Sequence, residues 1–392
     1  MQKKLIKPPN TDALSGQPAQ LELFRVVSDA TYTNSFAFYE GIPRFIVARG
    51  RASIIKRNED GTAAPIRRHF VTDGKAYRLT LEPAYIEQKD GSLKASFPWA
   101  KEELIEFIIY KLAVESGYFY NAGGDNSKTD NFVLMTSLYK IHEELKRRWE
   151  KRAKSKSYSY DQIREALLVL SKTKIHLKSE DGDDDLVFSP ISDFGFFNKD
   201  KSQDPQGSKA TIYIKFNSLI SKNILTKKWR QINYETVIED HNYLSRRLRK
   251  MLGLKFTYAS PNRSFNINLS TLIENSWISL YERMSDNLKY AEKVLKAMSD
   301  IVGRFALEKK FAVHPITKKG RVLADAKIII WPTRSFIQMQ IENNIHHSKL
   351  DDARLDEMGA VRLEPKRSNY ATYQEFEAAR TAYEQGAILP EC

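Results

Sequence analysis

An order of elements legible between Lys101 and Phe188 is legible again between Tyr243 and Trp331, and this recurrence constrains the fold most tightly. In the first stretch Leu104, Phe107, Ile108, Lys111 and Leu112 recur at i, i+3, i+4 spacing, which predicts a helix over Lys101–Glu115. Phe132-Val133-Leu134-Met135 reads as a short strand, and Leu138, Ile141 and Leu145 mark a second helix. Ser159 and Gln162 stand in capping-box positions ahead of a third helix, whose apolar residues are Ile163, Ala166, Leu167 and Leu170. Lys174–Leu177 and Leu186–Phe188 then flank the acidic turn Asp181–Asp185. In the second stretch Tyr243–Leu252 predicts a helix closed by Gly253 as its C-cap residue. A strand follows at Ser264–Leu269 and a short helix at Thr271–Trp277. Asn287–Val302 reads as a long helix with Leu288, Ala291, Val294, Leu295, Met298 and Val302 on one face. Phe311–Val313 and Ala326–Trp331 then form strands joined by the basic turn Thr317–Arg321. Helix, strand, helix, helix and hairpin is the winged-helix layout. The expected class is therefore α+β, with two helix-turn-helix units in tandem, each ending in a β-wing. What repeats is the pattern, not residue identity.

The remaining sequence frames these units. Residues 1–40 read as a disordered leader, because Met1–Gln20 is rich in Pro, Gly, Asn and Lys without a period. Residues 41–224 form the first unit with an N-terminal β extension, since Tyr77–Leu81 alternates at period two. Residues 225–333 form the second unit. Residues 334–392 supply a helix near Ser335–Asn344 and a polar tail. A chain of 392 residues accommodates such a division.

The formal net charge of +13 points to a polyanionic partner. The excess sits ahead of the tail: Ser348–Cys392 holds six basic and nine acidic residues, so 6 − 9 gives −3. With Cys392 as its only cysteine, the chain supports neither a disulfide framework nor a cysteine-based zinc site, and a reducing cytoplasm is expected. No apolar run reaches the roughly 18 residues of a membrane span, and no h-region follows the basic start.

DNA presents acceptors in its major groove and phosphates beside it, so a helix that enters needs donors and cations. Opposite the apolar face of Asn287–Val302 the periodicity places Asn287, Lys289, Tyr290, Lys293 and Lys296, with Arg283 ahead and Arg304 behind. The wing adds Lys309, Lys310, Lys318, Lys319 and Arg321. In the first unit the corresponding candidates are Tyr160, Arg164, Lys172 and Lys174, and the acidic turn predicts weaker DNA contact there. The basic run from Lys146 to Lys156 reads either as a phosphate track or as a solvated linker.

Signatures of other chemistry are missing. No G-x-x-x-x-G-K-[ST] loop occurs. His346 and His347 are adjacent and point to different sides of any regular element. Asp181-Gly182-Asp183-Asp184-Asp185 lacks the glycine and glutamate of a calcium-binding EF-hand loop at their required positions. The expectation is a protein that is not an enzyme and uses no cofactor or metal.

The paired units resemble the iteron-binding plasmid replication initiators, with the TrfA-like IncP-type initiators most similar. The resemblance spans roughly Leu21–Trp331. It is carried by Lys228-Trp229-Arg230, the Leu244–Leu248 helix, Phe265–Leu269, Tyr281–Met284 and the Lys289–Lys296 helix, with Met135–Tyr139 and Tyr160–Leu170 in the first unit. It implies that the second unit reads direct repeats (iterons) in double-stranded origin DNA. The first would dimerise or touch adjacent DNA. Binding would open an AT-rich region and recruit host replication proteins, among them the host initiator, helicase and sliding clamp. Gln20-Leu21-x-Leu23-Phe24 is similar to the peptide that docks in the sliding clamp's groove, with Leu21, Leu23 and Phe24 as anchors. A winged-helix transcriptional repressor is the alternative, and a nicking Rep enzyme a third.

Overall fold

A computed structural model describes residues 32–48, 55–72, 74–116, 119–121, 132–150, 158–197, 211–225, 229–240, 242–276, 278–279, 283–313 and 321–357. The chain opens with β1 (Tyr32–Ser35), α1 (Ala37–Gly41), β2 (Val47–Ala48), β3 (Ile66–Thr72), β4 (Lys75–Glu82), β5 (Ala84–Glu87) and β6 (Leu93–Ser96). It continues through α2 (Ala100–Ser116), β7 (Phe119–Asn121), β8 (Phe132–Ser137), α3 (Leu138–Glu150), α4 (Tyr160–Lys172), β9 (Lys174–Ser179), β10 (Asp185–Phe188), β11 (Ile191–Phe197) and β12 (Thr211–Phe216). The second half holds α5 (Ser218–Leu225), β13 (Arg230–Asn233), α6 (Tyr234–Glu239), α7 (Tyr243–Lys255), β14 (Phe265–Asn268) and α8 (Leu269–Ser276). It ends with β15 (Ile278–Ser279), α9 (Met284–Ala297), β16 (Val302–Val313), β17 (Arg321–Pro332) and α10 (Arg334–Glu357).

Both stretches carry the expected element order, but their sheets differ. In the second, β14 joins the terminal hairpin in one antiparallel sheet of order β14-β17-β16. In the first, β8 lies in the sheet β11-β12-β8-β7, while the hairpin β9–β10 continues into β4 and β3. The first hairpin is therefore completed by the N-terminal β extension rather than by its own unit's strand. The acidic turn between β9 and β10 turns through Gly182 at φ +84°, a left-handed conformation that glycine adopts without strain. Lys75 offsets part of its charge, with Nζ 3.4 Å from Asp181 and Asp183 and 3.8 Å from Asp184.

Local chemistry sets the helix ends. Ser159 accepts from the Gln162 backbone while the Gln162 side chain accepts from the Ser159 backbone, the expected capping box. Asn242 caps α7 by accepting from the Ser245 N–H at 2.8 Å. Gly253 is not the C-cap: α7 runs on to Lys255 and closes at Phe256. The Gly253 carbonyl accepts from Gln340 of α10 at 3.1 Å.

The leader expectation needs correction over its described part. Residues 32–40 form β1 and most of α1, with Phe36, Tyr39 and Glu40 buried. β1 pairs with β13 and β2 pairs in parallel with β15, so the start of the described chain is woven into the second unit. The helix expected at Ser335–Asn344 runs from Arg334 to Glu357. It docks on the second unit through Asn343 to the Gln231 carbonyl and Asn344 to the Thr257 carbonyl. A single buried apolar cluster extends from Phe36 to Phe336 through both stretches.

The stretches also meet across buried charge. Glu103 of α2 accepts from Arg246 at 2.7 Å and Lys250 at 2.9 Å, both on α7. Arg44 donates to Glu106 at 2.5 Å, and Tyr39 donates to the same carboxylate at 2.6 Å. Arg247 donates to the Glu40 and Gly41 carbonyls. Burial pushes Glu103 up, but Arg246 and Lys250 outweigh it and bring its pKa down to about 2. Burial prevails at Glu106, whose pKa is raised despite Arg44.

Candidate nucleic-acid interface

Helix α9 is held by its apolar side. Leu288, Ala291, Val294 and Leu295 are buried against the sheet and the neighbouring helices. It begins at Met284 and ends at Ala297, because Met298 leaves the helix and Val302 already starts β16. The expected span Asn287–Val302 is thus shifted by three residues at its start.

The shift does not move the basic stripe. Lys289, Lys293 and Lys296 remain exposed along one side, at spacings of four and three residues. Lys289 lies 3.6 Å from Asp286 and Lys296 lies 2.8 Å from Glu292. Lys293 has no ion-pair partner among the described residues. Arg283, the residue ahead of the helix, is exposed and supplies no side-chain cap. Two expected groove residues are misplaced. Asn287 is only 6 % exposed and belongs to the packed side. Tyr290 is half-buried, its ring packed against the core.

The hairpin divides its cations between two faces. Residues directly opposite in an antiparallel pair share a face, and alternate residues return to it. Phe305, Leu307 and Lys309 oppose Ile330, Ile328 and Ala326, all buried, so these define the inner face. Arg304, Glu308 and Lys310 oppose Trp331, Lys327 and Asp325 on the outer face. The Arg304 guanidinium lies 4.3 Å from the centroid of the Trp331 ring. Lys309 and Lys310 therefore leave the hairpin from opposite faces. Arg321 is exposed and opposes Val313 at the hairpin's far end. Lys318 and Lys319 lie outside the described residues.

Inner face and helix stripe meet electrostatically. The Glu292 carboxyl is held below its ordinary range by Lys296 first, with Lys309 adding to the effect. Lys296 of α9 and Lys309 of β16 thus act on the same Glu292 carboxylate, and Lys289 and Lys293 stand exposed on the same helix. An α-helix with side chains is about 10–12 Å across, which matches a major groove about 12 Å wide.

The first unit offers much less. Tyr160 is half-buried with its ring 4.9 Å from that of His142. Arg164 pairs with Asp161 at 3.1 Å and lies over the Phe196 ring. Lys172 reaches the Tyr85 carbonyl at 3.4 Å, and Lys174 stands exposed at the start of β9. Helix α4 packs against β5 on one side and β11 on another, with Val169 buried against Ala84 and Ile86. Tyr160, expected as a DNA contact, packs partly against the core, and Arg164, expected likewise, pairs with the exposed Asp161. Gln20, Leu21, Leu23 and Phe24 lie outside the described residues. Within the basic run, Arg147 bridges Glu144 and Glu235, each at 2.9 Å.

Among the described residues no His, Cys, Asp and Glu side chains converge in threes to hold a metal ion, and no helix is long and apolar enough to cross a membrane.

No family model matches the chain, and no curated protein matches it. Among solved structures it is similar to domains 2 and 3 of RctB, at 12 % identity and TM-score 0.42 over 78 % of this chain and 99 % of that one. A second structure of the same RctB domains gives 12 % identity and TM-score 0.39 over 76 % and 98 %. The Pi initiator protein in complex with iteron DNA gives 14 % identity and TM-score 0.35 over 60 % and 91 %.

Proposed function

We propose that this protein is an origin-binding replication initiator whose second unit reads double-stranded DNA. The observation that carries the proposal is the continuity of the exposed Lys289, Lys293 and Lys296 stripe with Lys309 on the inner face of the hairpin. In this reading the second unit is a winged helix: α7, α8 and α9 are its helices and β16–β17 its wing. Helix α9 enters the major groove, and the stripe and wing cations fix its register on phosphates. The first unit, with an acidic turn only partly offset by Lys75 and a covered helix, contributes protein contacts, including those of a homodimer. The TrfA-like resemblance supports direct repeats as the target and the host initiator, helicase and sliding clamp as partners.

Footprinting on the DNA that surrounds the gene tests the reading. Protection of tandem repeats is expected, and a home replicon with no protected repeat contradicts it. A repressor would share those contacts, so loss of the gene must also stop propagation of the replicon. The activity is proposed to involve no strand cleavage. Incubation of supercoiled origin DNA with the protein and divalent metal should yield no nicked product.

Capture of the clamp is proposed to run through Leu21, Leu23 and Phe24. Leu23→Ala with Phe24→Ala should abolish binding to immobilised sliding clamp and leave duplex affinity unchanged. Retained capture rejects that role.

A further inference from the structure

The hairpin outruns the core that supports it. Leu307 is the last half-buried inner-face residue of β16, and beyond it the strand runs on to Val313. Phe311 is 53 % exposed and Val313 is 64 % exposed. On β16 both alternate with Lys309, so they extend the inner face that adjoins α9. The register shift between Lys310 and Phe311 aligns Phe311 with Leu323 and Val313 with Arg321. A bulge of this kind bends a strand and increases its twist. The far end of the hairpin is thus an exposed apolar ridge of Phe311 and Val313, backed by the half-buried Leu323 and bordered by Lys309 and Arg321.

Cations around an exposed apolar ridge favour a polyanion over an apolar protein surface. The dimensions favour one part of it. From Leu307 to Val313 the strand spans six residues, about 20 Å at ~3.3 Å per residue. Half a turn of duplex is about 17 Å. With α9 in a major groove, an overhang of that length is enough to span to the neighbouring minor groove. That groove is about 6 Å wide and admits side chains but not the ribbon itself. Apolar side chains placed there part adjacent base pairs and kink the duplex.

We propose that Phe311, backed by Val313, is an apolar wedge that enters the minor groove of duplex DNA beside the α9 contact and unstacks a base step. Its target class is a flexible pyrimidine–purine step such as TA, whose deformation is least unfavourable. The proposal rests on the DNA-binding reading above and adds a deformation to it.

The test uses the full chain, with Phe311→Ala, Phe311→Leu and Lys309→Ala, on a duplex bearing one protected repeat. The base analogue 2-aminopurine is stepped through the flanking positions. Wild type should raise 2-aminopurine fluorescence at one step. Phe311→Ala should remove that rise and weaken binding about tenfold with the salt dependence unchanged, because no phosphate contact is lost. Phe311→Leu should retain part of the rise. Lys309→Ala should lower the slope of log K against log salt by about 0.9 and keep the rise. If Phe311→Ala binds with wild-type affinity and wild-type fluorescence, the wedge is refuted while the DNA-binding reading stands. If wild type shows no salt-dependent binding to any duplex, the reading beneath it fails instead. Phe311 is more than half exposed, so an unchanged urea midpoint verifies that the variants fold.

Discussion

Glu103 shows how much a single residue carries in this molecule. It is buried on α2 and accepts from Arg246 and Lys250 of α7, so one carboxylate compensates cations from the other stretch. Removing one partner of a buried ion pair leaves an uncompensated charge and costs about 3–5 kcal/mol. Glu103→Gln should lower the unfolding free energy on that scale, seen as a lower urea midpoint, while Glu103→Asp should lose only part of it. The pH dependence has a definite sign. The folded pKa of about 2 lies below the ordinary 4.5, so the stabilisation is complete above the unfolded value. It is lost as pH falls from about 5 towards 2. Burial raises Glu106, which works in the opposite direction, so Glu106→Gln should steepen the acid limb where Glu103→Gln flattens it. Urea melts between pH 3 and 7 check both. None of this network was legible in the sequence. The helix over Tyr243–Leu252 is expected from the sequence, but periodicity ranks residues by polarity and cannot pair Arg246 with a carboxylate 143 positions away. Asn287 was misjudged for a related reason. Its polarity suggested a groove face, yet Ala291 and Val294 at i+4 and i+7 share its face and turn it towards the packed side.

At the scale of elements, helices were read well where an apolar face and a cap coincide. The Ser159 box is present as expected, and Ser159→Ala should destabilise the protein by about 1 kcal/mol, measured by chemical denaturation. Strands were read less well. β3 places Ile66-Arg67-Arg68-His69-Phe70 on an edge, so its polar residues mask the alternation. β5–β6 and β11 are short or irregular, yet they cover α4 and thereby remove it from the candidate interface. The length of the wing was also underestimated. Arg304, Glu308, Lys309 and Lys310 lack a strand-like apolar rhythm, but pairing with β17 supplies the hydrogen bonds that propensity does not. At the base of that hairpin a Cβ on Gly303 would stand 2.9 Å from the Pro332 carbonyl oxygen, which is backbone and cannot swing aside. Gly303→Ala should therefore shift the hairpin relative to α9. The expected result is a lowered melting temperature together with weaker duplex binding, whereas Gly182→Asn in the acidic turn should leave duplex binding unchanged.

For the whole molecule, the expected division into leader, two units and tail describes the element order better than it describes the packing. β1 and β2 pair with strands of the second unit, α2 and α7 share buried charge, and α10 closes over β13. Non-local pairing of this kind leaves no compositional trace, which is why the units looked separable in sequence. The asymmetry of charge was legible, because it needs only counting. The central claim is that the exposed face of α9 forms the phosphate-contacting surface. The most direct measurement is the salt dependence of full-chain binding to a duplex bearing a protected repeat. Wild type is compared with Lys293→Ala plus Lys296→Ala, and with Arg67→Ala as a remote exposed control. Each lost phosphate contact removes about 0.9 from the slope of log K against log salt, so the double variant should bind more weakly with a slope shallower by about 1.8. Arg67→Ala should match wild type. An unchanged slope in the double variant would contradict the assignment of α9 as the DNA-contacting surface.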